Sequence, residues 1–230
     1  YKTLEYWTEL AKTLERGLFD GLFIADIVGV YDVYQNSVDV PLREAIQLPV
    51  NDPLLLVSAM AAVTRNLGFG LTANLTYEPP YLFARRMSTL DHLSRGRVGW
   101  NIVTGYLDSA ARNLGLARQL GHDQRYDLAE EYLQVLYKPL EGSWADDAVV
   151  ADRQRRVYAQ PDTARKVQHH GAFYDVDGYH PCDPSPPRPP VMFHAGRSPR
   201  ARALVGHHAH CVCITRQDKP ATRTTPDNTR

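Results

Sequence analysis

The chain has 230 residues, 43% of them hydrophobic, which is enough for one large α/β domain or two small ones. Its 26 basic and 26 acidic residues leave no net charge, so the composition argues against nucleic acid or an anionic membrane and favours a small-molecule partner. No apolar run is long enough for a bilayer span or a signal peptide, and three cysteines form no disulfide framework, so we expect a reduced, cytoplasmic protein.

Short apolar segments alternate with helical patterns along the chain. The first element is a helix over 3–16, in which apolar residues recur at helical spacing and Gly17 follows as a stop signal. Apolar runs that end in polar residues or glycine predict β-strands at 18–26, 68–75, 98–103, 191–196 and 210–215. Further helices are predicted at 53–63, about 81–93, 123–140 and 198 to about 206. This alternation indicates βα units with a parallel sheet.

The starts of three of these helices carry capping signals. Asp52 and Ser198 are each followed by proline, a common pair for the N-cap and the first helical position. Asp123, or a polar residue near it, is expected to cap the helix over 123–140.

Three segments break the alternation. Residues 27–51 show no period and are predicted to form a long loop or lid. Residues 142–190 are predicted to be an excursion with a hairpin near 172–176 and a stiff, proline-rich return. Residues 217–230 hold no large apolar side chain and should be disordered. We therefore expect one α/β domain over 1–216, followed by a tail.

Polar side chains cluster where the predicted strands end. Asp26, Thr72 with Asn74, and Asn101 with Thr104 occupy such positions. The carboxyl ends of parallel strands meet at one edge of a sheet or barrel, where ligands bind, so these are candidate site residues. Any one of them could equally be an ordinary loop or cap residue, but their recurrence at successive strand ends favours a site.

Residues 196–200 follow a strand and open a helix, an arrangement that can bind anions. The Ser198 hydroxyl and the backbone amides could hold a phosphate with Arg197 nearby, although a serine before a proline is also an ordinary N-cap. His122 and Tyr126 precede or begin another helix and could reach the same anion.

The run His-His-Ala-His-Cys-Val-Cys over 207–213 contains metal-ligand residue types. Its spacing is not that of a common zinc site, and it straddles a helix end and a strand, in which alternate residues face opposite ways. Few of these side chains are expected to converge, so the sequence predicts no metal site.

Several of these motifs together resemble one enzyme group. Residues 96–104 (Gly-Arg-Val-Gly-Trp-Asn-Ile-Val-Thr), 122–131 and 193–199 (Phe-His-Ala-Gly-Arg-Ser-Pro) resemble the nitrilotriacetate, dibenzothiophene-sulfone and pristinamycin-synthase group of bacterial-luciferase-like flavin monooxygenases. Residues 14–26, 59–64 and 76–81 resemble it too. The resemblance runs in order from about residue 3 to 215.

The resemblance implies a TIM-like (β/α)8 barrel that binds FMN. Such an enzyme receives reduced FMN from a separate NAD(P)H-dependent flavin reductase and uses O2 to oxygenate a small organic substrate, and intact members form homo-oligomers. Carried over by position, the implied cofactor-binding residues lie around the flavin ring or at its phosphate: Asp26, Thr72, Asn101, His122, Tyr126, Arg197 and Ser198.

The sequence also departs from the group. Relatives carry a first barrel strand ahead of Tyr1 and further βα units after Thr215, so we expect the barrel to be incomplete here. Arg197 and Gly105 stand where relatives usually show serine. The alternative is a truncated, non-catalytic remnant. A metal-dependent barrel hydrolase and a deazaflavin-dependent relative are further alternatives.

Overall fold

The computed structural model describes residues 1–185 and 187–213. The tail over 217–230, predicted to be disordered, and the last part of the strand predicted at 210–215 lie outside this range.

Helices and strands alternate in the order that the sequence predicts. The helices are α1 (Leu4–Arg16), α2 (Asp39–Glu44), α3 (Pro53–Ala62), α4 (Pro80–Ser94), α5 (Asp108–Asn113), α6 (His122–Tyr137) and α7 (Pro199–His208). The strands are β1 (Gly21–Ile24), β2 (Gly68–Asn74), β3 (Val98–Val103), β4 (Val149–Asp152), β5 (Val157–Ala159), β6 (Lys166–His170), β7 (Asp175–Tyr179), β8 (Val191–His194) and β9 (Cys211–Val212).

Five strands form one parallel sheet in the order β1-β2-β3-β8-β9. These are the five strands that the sequence predicts, although the first is shorter than expected. Leu18 has a φ of +59°, so the chain turns there and β1 begins only at Gly21. The longer helices α1, α3, α4, α6 and α7 pack against one another in chain order, so the sheet forms half of a barrel rather than a doubly wound layer.

The helix-facing side of the sheet holds the core. Trp100 on β3 is fully buried, with its ring centroid 4.7 Å from that of Phe83 on α4 and 6.2 Å from that of Tyr132 on α6. Its indole nitrogen donates to the Ala73 carbonyl at 3.0 Å, which satisfies the one polar atom of the ring. This packing fixes β3 against α4 and α6.

The opposite side of the sheet is lined by two phenylalanine rings and two glycines. A Cβ on Gly70 would lie 2.8 Å from the Phe23 ring, and a Cβ on Gly99 would lie 2.7 Å from the Phe193 ring. The glycines therefore leave the space that the rings occupy, and the rings meet edge to face with centroids 5.7 Å apart. Phe23 is 46% exposed, so this side of the sheet is open.

Two of the three predicted helix caps are confirmed. The Asp52 carboxylate accepts from the Leu54 amide at 2.9 Å, and the Ser198 hydroxyl accepts from the Ala201 amide at 3.1 Å. The predicted cap of α6 is wrong: the helix begins at His122 after Gly121, with no side-chain cap, and Asp123 lies in its first turn.

The region 142–190 contains two antiparallel hairpins, β4–β5 and β6–β7, where the sequence predicted one. The tip of the second is the predicted hairpin segment. Glu131 on α6 holds it: its carboxylate accepts from the backbone amides of residues 172–174 at 2.9–3.1 Å and lies 3.0 Å from His169 Nε2. Burial raises the pKa of Glu131, but these donors outweigh it, so its pKa lies below the ordinary value.

The loop predicted over 27–51 is not free of secondary structure. It contains a turn of 3₁₀ helix over Tyr34–Asn36 and the short helix α2. Both are too short to show a hydrophobic period, which is why the sequence pattern missed them. Among the described helices, none combines the length and the apolar composition needed to cross a bilayer.

Candidate functional site

A cavity of about 300 Å³ opens at the carboxyl ends of β1, β2, β3 and β8. This is the edge where the sequence places its candidate residues. Apolar side chains and backbone from these strand ends form most of the wall, together with a smaller set of polar groups. The lining side chains that carry the argument below are Asp26, Asn74, Tyr106, Arg125, Tyr126 and His194.

His194 places an acceptor at this cavity. Its Nδ1 lies 2.7 Å from the Ile102 carbonyl, which can only accept, so Nδ1 carries the proton and Nε2 carries a lone pair. The residue is 2% exposed, and Nε2 has no hydrogen-bond partner within the described chain. Burial lowers the pKa of His194, more than the Ile102 carbonyl raises it, which favours the neutral ring.

Tyr126 and Arg125 come from the first turn of α6. The Tyr126 ring stands edge-on to His194 with centroids 6.4 Å apart. Arg125 donates to the Leu120 carbonyl at 2.6 Å through Nη1, whereas its buried Nε has no acceptor among residues 1–185 and 187–213. The cavity thus has one uncommitted donor on a cation and one uncommitted acceptor on a neutral ring.

Asp26 lies at the end of β1, where the sequence predicts it, and lines the cavity. Burial raises the pKa of this carboxyl and the nearby Asp52 charge raises it further, while the Ile27 amide lowers it. The net result is a pKa above the ordinary value for aspartate.

Thr72 and Asn101 lie beneath the cavity rather than in its wall. Both are buried, and the Asn101 amide nitrogen donates to the Thr72 hydroxyl at 3.0 Å, which links β2 to β3. The amide oxygen of Asn101 has no partner in the described part of the chain. These two side chains therefore form a polar layer below the strand ends.

The turn before α7 borders the cavity through Ala195. A Cβ on Gly196 would lie 2.5 Å from the Ala201 Cβ and 3.0 Å from His194 Nε2, so only glycine fits between the turn and the imidazole. Ser198 caps the helix, and Arg197 is exposed. The turn that the sequence predicts before α7 is thus formed, next to His194 Nε2.

His122 lies outside the cavity wall. It is exposed, its Nδ1 lies 2.7 Å from the Asp123 carboxylate, and its ring centroid is 5.0 Å from that of Tyr126. Tyr126 therefore stands between His122 and the cavity.

Residues 27 and 28 form one side of the cavity, and the segment that follows them, up to residue 33, docks on α5. The Ser109 hydroxyl accepts from the Val30 amide at 3.0 Å and donates to the Val30 carbonyl at 2.6 Å. A Cβ on Gly29 would lie 2.5 Å from that same hydroxyl oxygen, so the close approach requires glycine. Arg112 pairs with Asp32.

Gly105 shapes the wall next to β3. Its φ is +67°, and a Cβ there would collide with the side-chain amide of Asn74. The family resemblance led us to expect serine at position 105. With glycine there, the Asn74 amide occupies the space that the serine side chain would take.

Of the seven predicted cofactor residues, Asp26 and Tyr126 line the cavity, two lie beneath it and three border it. Sequence reasoning missed His194, Arg125 and Tyr106 as lining residues. The signal for His194 was available, since it ends a predicted strand inside a quoted motif.

The sequence profile of the family described as luciferase-like monooxygenase matches residues 1–230. A long-chain alkane monooxygenase of Geobacillus thermodenitrificans is 54% identical over 218 residues, which cover 95% of this chain and 50% of that protein. A dimethyl-sulfide monooxygenase of Hyphomicrobium sulfonivorans is 54% identical over 214 residues, covering 93% and 45%. Matches also include a dibenzothiophene-sulfone monooxygenase, a nitrilotriacetate monooxygenase and a pristinamycin IIA synthase, which confirms the resemblance stated from the motifs.

The fold matches solved structures of the same kind. A riboflavin lyase crystallised with modified FMN and riboflavin superposes with a TM-score of 0.90 at 38% identity, over 96% of this chain and 49% of that one. The chain spans about half the length of the curated relatives that it matches.

Proposed function

The chain belongs to the luciferase-like monooxygenase family, and we propose that it binds FMN at the strand-end cavity and takes part in flavin-dependent monooxygenation. The observation that carries the proposal is the pairing of uncommitted polar atoms in that cavity. The His194 acceptor and the Arg125 donor are the kinds of partner that a phosphorylated flavin requires. A non-catalytic remnant is not favoured, because the two relatives at 54% identity are named monooxygenases.

The residues present fit both the flavin ring and the phosphate of FMN. Ring N–H and ribityl hydroxyl groups of a flavin are donors, which suit His194 Nε2 and the Asn101 amide oxygen. The phosphate would lie at the start of α7, near the Ser198 hydroxyl and the backbone amides of the first turn, with Arg125 or Arg197 as the cation. Asp26, Thr72, His122 and Tyr126 complete the proposed set around the ring and the phosphate.

When bound, reduced flavin supplies the activation of O2 for transfer of one oxygen atom to a small organic substrate. The chain's own residues would orient the ring and keep water away from it. The segment over residues 27–33, which Ser109 holds in place, lies beside the cavity where it can keep water away from the ring. The names of the alkane and dimethyl-sulfide relatives suggest an apolar substrate.

Further parts of the proposal concern the setting of this reaction. We propose that a separate NAD(P)H-dependent reductase supplies the reduced FMN, that residues 1–216 form one domain that contributes part of an eight-stranded barrel, and that the protein forms homo-oligomers. The cytoplasm is the proposed location, which is supported by the free state of Cys182, Cys211 and Cys213.

The binding proposal is tested by titrating the chain into FMN and riboflavin and following flavin fluorescence. We expect tighter binding of FMN than of riboflavin, because only FMN carries the phosphate. Arg125→Gln should reduce that preference about tenfold, whereas Arg202→Gln, which removes an exposed charge further along α7, should leave it unchanged. Equal affinity for both flavins, or equal effects of the two variants, would refute the proposed site.

The activity is tested with a flavin reductase, NADH and FMN in ¹⁸O2, with a short alkyl sulfide and an alkane as substrates. Incorporation of one ¹⁸O atom into product, dependent on all components, is the expected result. His194→Leu should lower FMN affinity and product together. FMN binding without any oxygenated product would support binding and contradict monooxygenation by this chain.

A further inference from the structure

A second group of functional side chains lies where α6 and α7 pack together. His207 and His208 occupy the last turn of α7, and Glu130 faces them from the middle of α6. One ligand atom of each lies within 4.8 Å of the others. Glu130 is four residues after Tyr126, or about 6 Å along the helix. None of the three residues lines the cavity, so this group is separate from it.

The group takes only His207 and His208 from the run over 207–213. Both lie on a helix, and the third residue comes from α6, 77 positions before His207. His210, by contrast, is not part of this group, because its Nδ1 accepts a hydrogen bond from the Met192 amide at 3.0 Å.

The hydrogen bonds around His208 hold its ring against α6. The Tyr137 hydroxyl lies 2.9 Å from His208 Nδ1, and Nε2 lies 3.1 Å from a Glu130 carboxylate oxygen. The Tyr137 hydroxyl can donate to Nδ1 or accept from it, so the ring can hold its proton on either nitrogen. With the proton on Nδ1, Nε2 presents a lone pair beside the carboxylate, and a positive charge between the two would satisfy both.

The donor set suits a metal ion as that charge. Imidazole nitrogen and carboxylate oxygen bind Zn²⁺ at about 2.0–2.1 Å, which places neighbouring ligands of a tetrahedral site roughly 3.3 Å apart. The 3.1 Å separation of His208 and Glu130 is close to that value. Tyr137 orients His208 from behind, through the hydrogen bond and through a ring stacked at 5.6 Å and 26°.

We propose that Glu130, His207 and His208 form a binding site for a divalent transition-metal ion of the Zn²⁺ type that ties α6 to α7. His207 is exposed, its ligand nitrogen already lies within 4.8 Å of the other two ligand atoms, and water takes the fourth position. His208 is 9% exposed and already held by Tyr137, so it is the anchoring ligand.

The test is a titration of the chain with Zn²⁺ against a colorimetric indicator, and with Co²⁺ by absorption spectroscopy. One equivalent should bind. Glu130→Gln and His207→Ala should each weaken binding at least about tenfold, and His170→Ala, which removes an exposed histidine elsewhere, should not change it. Bound Co²⁺ should show no thiolate-to-metal charge transfer, because no ligand is sulfur.

Tyr137→Phe separates the orienting role from the ligands themselves. Loss of the hydroxyl should weaken Zn²⁺ about tenfold while the stoichiometry stays at one. The neighbouring exposed thiols Cys211 and Cys213 are the competing ligands. The proposal is overturned if binding is lost in a Cys211→Ser, Cys213→Ser double variant and kept in Glu130→Gln, or if no saturable binding occurs.

Discussion

Asp91 on α4 is a buried carboxylate whose charge should cost stability at neutral pH. The residue is 2% exposed, and neither carboxylate oxygen has a hydrogen-bond partner within residues 1–185 and 187–213. Burial raises its pKa from 3.8 to about 6. Ser185 and His92 lie near enough to favour the charged form, but Ser185 is not in hydrogen-bond geometry, and they offset only part of the rise.

The sign of the effect follows from proton binding. Below pH 4 the carboxyl is protonated in the folded and the unfolded chain, so it adds no pH dependence. Between pH 3.8 and about pH 6, Asp91 is protonated in the folded chain and ionised in the unfolded chain. The free energy of unfolding therefore falls as pH rises through this range. The difference between the two pKa values corresponds to about 3 kcal/mol lost by pH 7.5.

Asp91→Asn removes the charge and keeps the shape. Relative to the parent chain, its free energy of unfolding should gain about 3 kcal/mol between pH 4 and pH 7.5. Urea unfolding followed by tryptophan fluorescence at four pH values measures this difference, and other titrating groups cancel in it. The exposed Asp162→Asn variant is the control and should give a flat difference. A flat difference for Asp91→Asn, or a gain largest at pH 4, would refute the reasoning.

Three further substitutions test contacts that shape the site. Glu131→Gln should cost about 1–3 kcal/mol and speed amide exchange at residues 172–174, because a neutral amide accepts more weakly from their backbone; unchanged exchange would contradict this. Gly29→Ala should detach the wall from Ser109, seen as faster proteolysis within 27–33 and weaker FMN binding, with a cost of about 1–3 kcal/mol. Gly105→Ser should cost about 1–2 kcal/mol in urea unfolding, because φ is +67° and the new Cβ displaces a neighbouring amide; a neutral effect would show that this amide moves freely.

The sequence predicts the parts of this molecule that depend on local chemistry. An apolar run of the length of β3 and the capping pairs at Asp52 and Ser198 act within a few residues, so each can be recognised without knowing the fold. The rule that parallel strands align their carboxyl ends then placed Asp26 correctly in the cavity wall. The same rule did not distinguish a residue that lines the cavity from one that lies below it in the sheet, such as Asn101.

Contacts between distant segments could not be predicted in this way. The wall beside the cavity depends on Val30 meeting Ser109, 79 positions away, and the second hairpin depends on Glu131 meeting Phe173, 42 positions away. Each partner is an ordinary residue in its own segment, and only the packing of helices and loops brings them together. The number of hairpins and the position of the cavity wall could therefore be seen only in the structure.

Helices α6 and α7 connect the two proposed sites, and this arrangement follows from the fold. Both helices follow strands of one parallel sheet, so both start at the strand-end edge and run away from it together. The start of α6 carries Tyr126 into the cavity wall, Ser198 caps α7 beside the cavity, and residues further along bring Glu130 to His208. A metal ion between Glu130 and His208 would hold the helices at the relative position that sets the geometry of their starts. The proposed flavin site and the proposed metal site, which look unrelated in the sequence, thus both involve α6 and α7.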